Sequence, residues 1–406
     1  MKKKNIEKLS KFIVDRTYVI PSEREILICA SELRGMRYPP LSVSPSIIHY
    51  MNFMLLGAIK TGDLEPRELP ILTHPPSKEE VRVFHEVFSV NSTFDIKKPS
   101  IGFEIEQAPE FYETRLLWQL LGGHHEYYGA YEVLLPPMHI DGDKNYCVWK
   151  NALSDLKHFV SEYYETDDED SYNACGSHTH VCLPSSPMRS PKLWAKTINT
   201  LISLLPIFAP FFSNPYVYVD GKVRRIETGN RYSFRRKVWY WCHIPAYVIA
   251  DDIINVSQEN ARKLKPDDMP NSYYAVQLNR YRKSIATIEI RVNEAHPLQA
   301  WCATWLMVRY AEIIPRSPLF CNLEDLYKRT ITTYSAKIND TLELDVIRGD
   351  DKVFTGSMTV NRVEVIKKIY KEVSKHYTMP KKLLEVYKLI IKDVRLPDID
   401  VLKQLM

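Results

Sequence analysis

Acidic side chains recur at alternate positions in residues 101–106, and this pattern constrains the fold more than any other feature of the sequence. Successive side chains of a β-strand point to opposite faces. The isoleucines and the phenylalanine of the segment therefore share one face, and Glu104 and Glu106 share the other with Gly102. Gly102 leaves space beside the two carboxylates. The segment predicts a strand with one apolar face and one acidic face.

Three further segments predict strands with polar faces of the same kind. They are residues 131–137, 175–182 and 286–293. The first has one glutamate shortly before a Pro-Pro pair, which predicts the end of that strand. The second has two histidines on one face, and the third has a glutamate, an arginine and an asparagine on one face. The residues concerned are Glu132, His178, His180, Glu289, Arg291 and Asn293.

An ordinary solvated face explains any one of these strands alone, because antiparallel sheets often expose one side to water. The four segments together favour a different interpretation, since their polar positions are mostly Glu, His and Arg. Carboxylates on neighbouring strands repel each other unless a cation lies between them. Carboxylate oxygens favour Mg²⁺ or Mn²⁺, and an imidazole can join such a site. The pattern therefore predicts a divalent metal site.

The ordered set of these motifs resembles the carboxylate–amine ligases of the glutamine synthetase and γ-glutamylcysteine ligase superfamily, and above all its amidoligase branch. The resemblance covers roughly residues 98–300. Residues 230–236 and 274–279 also look like the arginine-bearing segment and the adjoining strand of that family. The implied fold is α+β, with a glutamine-synthetase-like curved antiparallel sheet, helices packed on one face of it, and helical N- and C-terminal regions.

The resemblance also implies a role for each matching residue. The metal ligands would be Glu104, Glu106, Glu132, His178 and Glu289. The groups facing the phosphates of ATP would be His180, Arg291 and one or more of Arg231, Arg235 and Arg236, with Arg231, Arg235 and Arg291 assisting phosphoryl transfer. The carboxylate substrate would be approached by Asn173 and Gly176.

The activity that follows is ATP-dependent amide-bond formation through an acyl phosphate, with Mg²⁺ or Mn²⁺. The partners would be a carboxylate and an amine, from small molecules, peptides or protein side chains, and an oligomer is compatible with the family. Two alternatives stay open. One is another phosphotransferase on the same sheet, for example a guanidino-kinase-like enzyme. The other is a non-catalytic binding or structural protein that keeps the scaffold.

Composition excludes some classes and bears on location. A formal net charge of +4, from 54 basic and 50 acidic residues, does not indicate a nucleic-acid binder. The seven cysteines form no C-x-x-C pair, so reduced thiols in the cytoplasm are expected. The longest apolar run, residues 201–212, contains Pro206 and Pro210 and predicts a buried helix with a kinked end. No apolar stretch follows the basic N-terminus, which argues against a secretory signal.

The chain divides by pattern into three regions. Residues 1–97 predict a helical accessory region, residues 98–315 a catalytic domain, and residues 316–406 a helical C-terminal region. Apolar periodicity predicts helices over residues 301–314, 363–377 and 381–393.

Overall fold

The computed structural model describes residues 98–107, 124–125, 131–142, 146, 149, 161–162, 177–213, 216–219, 222–225, 242–258, 273–282, 285–293, 296–330, 338–348, 353–393 and 399–405. The expected N-terminal helical region lies outside the described residues. The same holds for Asn173, Gly176, Arg231, Arg235 and Arg236. Glu106 and Glu132 lie in described strands, but their side chains are not described.

The chain forms two units. One comprises residues 1–95, 106–138 and 142–157, and the other comprises residues 96–105, 139–141 and 158–406. The described strands are β1 (Ser100–Gln107), β2 (His124–His125), β3 (Tyr131–His139), β4 (Ser161–Glu162), β5 (Ser177–Cys182), β6 (Tyr216–Val219), β7 (Lys222–Arg225), β8 (Cys242–His243), β9 (Tyr273–Tyr274), β10 (Val276–Arg282), β11 (Ile285–Ile290), β12 (Leu319–Phe320), β13 (Thr341–Arg348) and β14 (Val353–Asn361).

The described α-helices all belong to the larger unit. The described α-helices are α1 (Pro191–Phe208), α2 (Ala250–Gln258), α3 (Pro297–Ile313), α4 (Leu323–Thr330), α5 (Arg362–Val373), α6 (Lys381–Asp393) and α7 (Ile399–Leu405). The helices predicted from residues 301–314, 363–377 and 381–393 are therefore confirmed as α3, α5 and α6, with α5 ending earlier than expected.

An antiparallel sheet with strand order β10-β11-β5-β1 forms the centre of the larger unit. Its apolar face carries side chains such as Phe103, Val181 and Ile288, all almost fully buried. Helix α1 packs on β10 and α3 packs on β5. Burial of this face stabilises the fold, since apolar burial gives about 25 cal/mol per Å². The predicted mixture of helices with an antiparallel sheet is confirmed at this level.

The apolar run of residues 201–212 forms the end of α1 and a following 3₁₀ turn, Ala209–Phe212. Pro206 lies inside α1, and the predicted buried helix is confirmed, while its predicted kink stays a prediction. In the part of the chain that the structure describes, Pro191–Phe212 alone is long and apolar enough to cross a membrane by composition. Most of it is buried inside the protein, as in the core helix of a globular domain.

The smaller unit contains the β2–β3 ladder, in which His124 lies opposite Glu132. The expectation that the Pro136–Pro137 pair ends this strand is wrong, because β3 continues to His139. Proline keeps a backbone dihedral compatible with extended chain and costs only a hydrogen-bond donor.

The C-terminal region is not purely helical, which corrects the prediction for residues 316–406. Besides α4 to α7 it contains an antiparallel sheet of β12, β13 and β14. Leu342 and Leu344 are buried while Thr341 and Glu343 are exposed, which is the period of two expected of a strand. The alternation in β13 is short and lies between the longer helical patterns of residues 301–314 and 363–377, which dominate the sequence of this region.

Candidate functional site

The register of three strands brings the predicted polar residues together on one face of the central sheet. Strand β5 lies between β1 and β11. Glu104 of β1 pairs with His178 of β5. His180, two residues further along β5, pairs with Glu289 of β11. Because side chains two residues apart share a face, the two carboxylates and two imidazoles converge.

Both histidines contact Glu104. His178 Nδ1 lies 3.2 Å from Glu104 Oε2, and His180 Nε2 lies 3.2 Å from Glu104 Oε1. His178 Nδ1 also lies 3.5 Å from Glu289 Oε1. The other ring nitrogen of His180, Nδ1, lies 3.0 Å from the hydroxyl of Thr287. That hydroxyl fixes the orientation of the ring and directs Nε2 toward the carboxylates.

Glu289 is fully buried and is surrounded by donors. Gln277 Nε2 donates to its Oε2 at 2.7 Å, and Asn279 Nδ2 donates to the same oxygen. Arg291 NH1 donates to its Oε1. Gln277 and Glu289 are paired residues of β10 and β11, so the strand register places the Gln277 amide beside the Glu289 carboxylate. A buried carboxylate needs such partners, since an unpaired one is costly.

The electrostatics of the cluster favour charged carboxylates. Burial opposes ionisation of Glu104, but His180 and His178 outweigh it and hold the pKa of Glu104 far below its usual range. Burial likewise opposes ionisation of Glu289, but Arg291 and the two histidines lower its pKa. Burial disfavours the imidazolium of His180, yet Glu104 and Glu289 raise its pKa.

The donor set fits a divalent cation. Glu104, His180 and Glu289 each offer one ligand atom, and these atoms lie within 4.8 Å of one another. Two carboxylate oxygens with one imidazole nitrogen suit Mg²⁺ or Mn²⁺, with a second imidazole, His178, beside them. The residues also balance their own charges, because Arg291 pairs with Glu289 and both histidines face Glu104. A cation is therefore compatible with the cluster without being required to relieve repulsion.

The structure brings together five of the predicted site residues, namely Glu104, His178, His180, Glu289 and Arg291. The group of side chains placed to hold a metal ion contains His180, which the resemblance assigns to ATP, and not His178, which the resemblance assigns to the metal. The strand that would set the direction of Asn293 ends three residues earlier, at Ile290. The Asn293 amide donates to the hydroxyl of Thr179, at 3.2 Å.

Sequence reasoning missed three residues of the cluster, Gln277, Asn279 and Thr287. A signal for each was present. Gln277 and Asn279 alternate along β10 with buried apolar residues, and Thr287 precedes Glu289 by two residues on the same face. Neutral amides and hydroxyls are common on solvated strands, so this signal alone does not reveal a role. The burial of Gln277 and Asn279 and the contact of Thr287 with His180 do.

Comparison with known proteins adds a distant likeness. No family model and no curated protein matches the chain. Among solved structures, a similar chain comes from the "Crystal structure of the complex between Prokaryotic Ubiquitin-like Protein Pup and its Ligase PafA", at 10% identity and a TM-score of 0.38. The match covers 74% of this chain and 64% of that chain. A likeness this distant carries no inference about activity.

Proposed function

We propose that the protein is an ATP-dependent carboxylate–amine ligase that uses Mg²⁺ or Mn²⁺, on a glutamine-synthetase-like sheet. The observation that supports the proposal is the convergence of Glu104, His178, His180 and Glu289 on one buried sheet face. Buried, mutually contacting acids and imidazoles are unusual on a structural sheet, and clusters of this kind mark functional sites more often than solvated faces do. The motifs that resemble the amidoligases supply the reaction class.

In the proposed reaction, an oxygen of the carboxylate substrate attacks the γ-phosphorus of ATP, forming an acyl phosphate and releasing ADP. The amine nitrogen then attacks the acyl carbon, phosphate leaves, and the amine proton passes to a base. Glu104, His180 and Glu289 would hold a divalent cation, which supplies charge neutralisation to the phosphates. Arg291 would face the transferring phosphoryl group, where a guanidinium stabilises developing negative charge.

The substrates proposed are a carboxylate and an amine, of small-molecule, peptide or protein origin. A cytoplasmic location is proposed with them, on the basis of the scattered cysteines. Cys182, Cys302 and Cys321 are free thiols among the described residues.

A second candidate, a non-catalytic scaffold, is favoured by one observation. The charges of Glu104 and Glu289 are already matched by Arg291 and the histidines, so the cluster is self-consistent as a buried polar network. Such a network fixes strand register without any ligand.

Product analysis separates these candidates and the phosphotransferase. Protein is incubated with ATP, Mg²⁺ and pooled carboxylates and amines, and ADP and phosphate are measured together with the mass of each substrate. A ligase gives free phosphate and an amide only when both substrates are present. A phosphotransferase gives ADP and a phosphorylated acceptor with one substrate, and a scaffold gives neither.

A further inference from the structure

The two oxygens of Glu289 have different kinds of partner. Oε2 accepts hydrogen bonds from the neutral amides of Gln277 and Asn279. Oε1 accepts from the guanidinium of Arg291, and His178 Nδ1 lies 3.5 Å from the same oxygen. One oxygen is thus held by uncharged groups and the other by a cationic one.

The partners of Oε2 are fixed by the sheet. Gln277 and Asn279 are both buried residues of β10. Gln277 Oε1 accepts from the backbone N–H of Tyr274 at 3.2 Å, and Gln277 Nε2 lies 3.2 Å from Asn279 Oδ1. Since each amide is itself anchored, Oε2 is not readily released. A cation that binds Glu289 is therefore expected to approach Oε1.

The partner of Oε1, Arg291, is more exposed than the carboxylate it holds. The Arg291 side chain is 16% exposed, whereas the Glu289 side chain is 1% exposed. Arg291 follows the last residue of β11, and its backbone N–H donates to Ala275 O at 3.0 Å. The backbone is anchored, so rotation of the side chain alone separates the guanidinium from the carboxylate.

We propose that Arg291 and a divalent cation exchange at Glu289 Oε1. In the ion-free protein the guanidinium occupies that oxygen, and the incoming cation displaces it while the two amides keep Oε2 in place. This inference rests on the proposed function, because it takes the cluster as a cation site.

The exchange has a functional consequence. Arg291 opposes cation binding in the free protein, and it becomes available to an anionic phosphate only after the cation has bound. Arg291 would then stay paired with Glu289, and unavailable to a phosphate group, until the cation has bound. The cation is therefore expected to bind before the nucleotide or together with it, because the cation and Arg291 compete for Glu289 Oε1.

The test uses Mn²⁺ alone as the probe, with binding followed by the electron paramagnetic resonance of free Mn²⁺ and by calorimetry. The proteins are the full chain and its Arg291→Ala, Arg291→Lys, Glu104→Gln and Arg189→Ala variants. Arg189 is an exposed arginine before α1, so its removal makes the same change in net charge. Unfolding curves of each variant establish that it is folded.

The exchange predicts that Arg291→Ala binds Mn²⁺ about tenfold more tightly than the unaltered chain, a gain that corresponds to removing a competitor worth about 1.4 kcal/mol. Arg291→Lys and Arg189→Ala should stay near the original affinity. Guanidinium chloride at a non-denaturing concentration should weaken Mn²⁺ binding to Arg291→Ala more than sodium chloride of equal ionic strength does, by refilling the vacated position.

Unchanged or weaker Mn²⁺ binding in Arg291→Ala overturns the exchange. If the unaltered chain still binds Mn²⁺ and Glu104→Gln does not, the proposed function survives that result. A matching gain in Arg189→Ala, or a gain that guanidinium does not reverse, assigns the effect to net charge and also overturns the exchange. Absence of Mn²⁺ binding in every protein overturns the inference and the proposed function together. Should Arg291→Ala fail to fold, Arg291→Gln replaces it, since its amide keeps a donor near Oε1 without the charge.

Discussion

The central sheet and the C-terminal sheet both contain strands in which polar and apolar residues alternate. They differ in whether the polar side chains are buried or exposed to water. In β13 and β14, the polar residues Glu343 and Thr359 are paired and both exposed. In β10 and β11, the paired polar residues Gln277 and Glu289 are both buried and hydrogen-bonded to each other. Water solvates the first pair, and the protein must satisfy the second pair itself.

The difference shows how a buried polar face is distinguished from a solvated one. Alternation of polar and apolar residues occurs in both sheets, so it does not separate a buried polar face from a solvated one. A solvated face tolerates any polar residue, because water satisfies it. A buried polar face requires matched donors and acceptors across strands, and Glu289 has them from three neighbouring side chains.

The largest expected effect comes from removing the buried carboxylate. Glu289→Ala leaves Arg291, Gln277 and Asn279 without their acceptor, so we expect it to lower the free energy of unfolding by about 3–5 kcal/mol. Its match on the exposed sheet, Glu343→Ala, should change that free energy by no more than about 0.5 kcal/mol. Urea denaturation of both variants measures the difference. Equal, small losses would mean that the central polar face is solvated like the C-terminal one.

A smaller effect is expected from one of the amides. Gln277→Leu removes one donor to Glu289 and leaves Asn279, so the free energy of unfolding should fall by about 1.5–3 kcal/mol, the range for hydrogen bonds to charged groups. Ser357→Ala, at an exposed position of β14, is the matched control and should be near neutral. A loss in Ser357→Ala as large as in Gln277→Leu would contradict the distinction between the two faces.

The smallest effect is expected on the alkaline side of the pH profile, because burial of the His180 imidazolium opposes its attraction to the carboxylates. The lowered pKa values of Glu104 and Glu289 stabilise the fold above the ordinary 4.5, and this stabilisation is lost as pH falls through the lowered values. The raised pKa of His180 stabilises the fold below 6.5, and that contribution is lost as pH rises through the raised value.

The metal-free protein should therefore be most stable between these two ordinary values, and it should lose stability toward neutral and alkaline pH. Urea midpoints across the pH range measure the effect, with His180→Gln as the variant that lacks the alkaline loss. An identical alkaline profile in the variant would show that His180 does not cause the loss of stability at alkaline pH.

Much of the central sheet could be predicted from the sequence, because local alternation encodes which residues share a face. Glu104, His178, His180 and Glu289 were identified in this way. Their mutual distances could not be predicted, since the order β11-β5-β1 depends on pairing between segments far apart in the chain. The choice of oxygen on Glu289 that meets Arg291 depends on the same non-local pairing.

Other features of the structure could not be predicted from the sequence for different physical reasons. Gln277, Asn279 and Thr287 are polar residues of types that solvated strands also use, so their part in the site shows only in their burial and contacts. The β13–β14 hairpin was overlooked because its alternation spans few residues between stronger helical patterns. A cytoplasmic location, the partner substrates and the roles of the arginines at 231, 235 and 236 stay predictions.

The most direct test of the account is calorimetric titration of the full chain with a non-hydrolysable ATP analogue, with and without Mg²⁺, for the unaltered chain and for Glu104→Gln. Glu104 contacts both histidines and is less buried than Glu289, so the substitution removes a ligand charge with less strain on the core. The account predicts Mg²⁺-dependent binding in the unaltered chain and its loss in a folded Glu104→Gln variant. Binding that is independent of Mg²⁺, or equal in the two proteins, would contradict a metal–nucleotide site on this sheet.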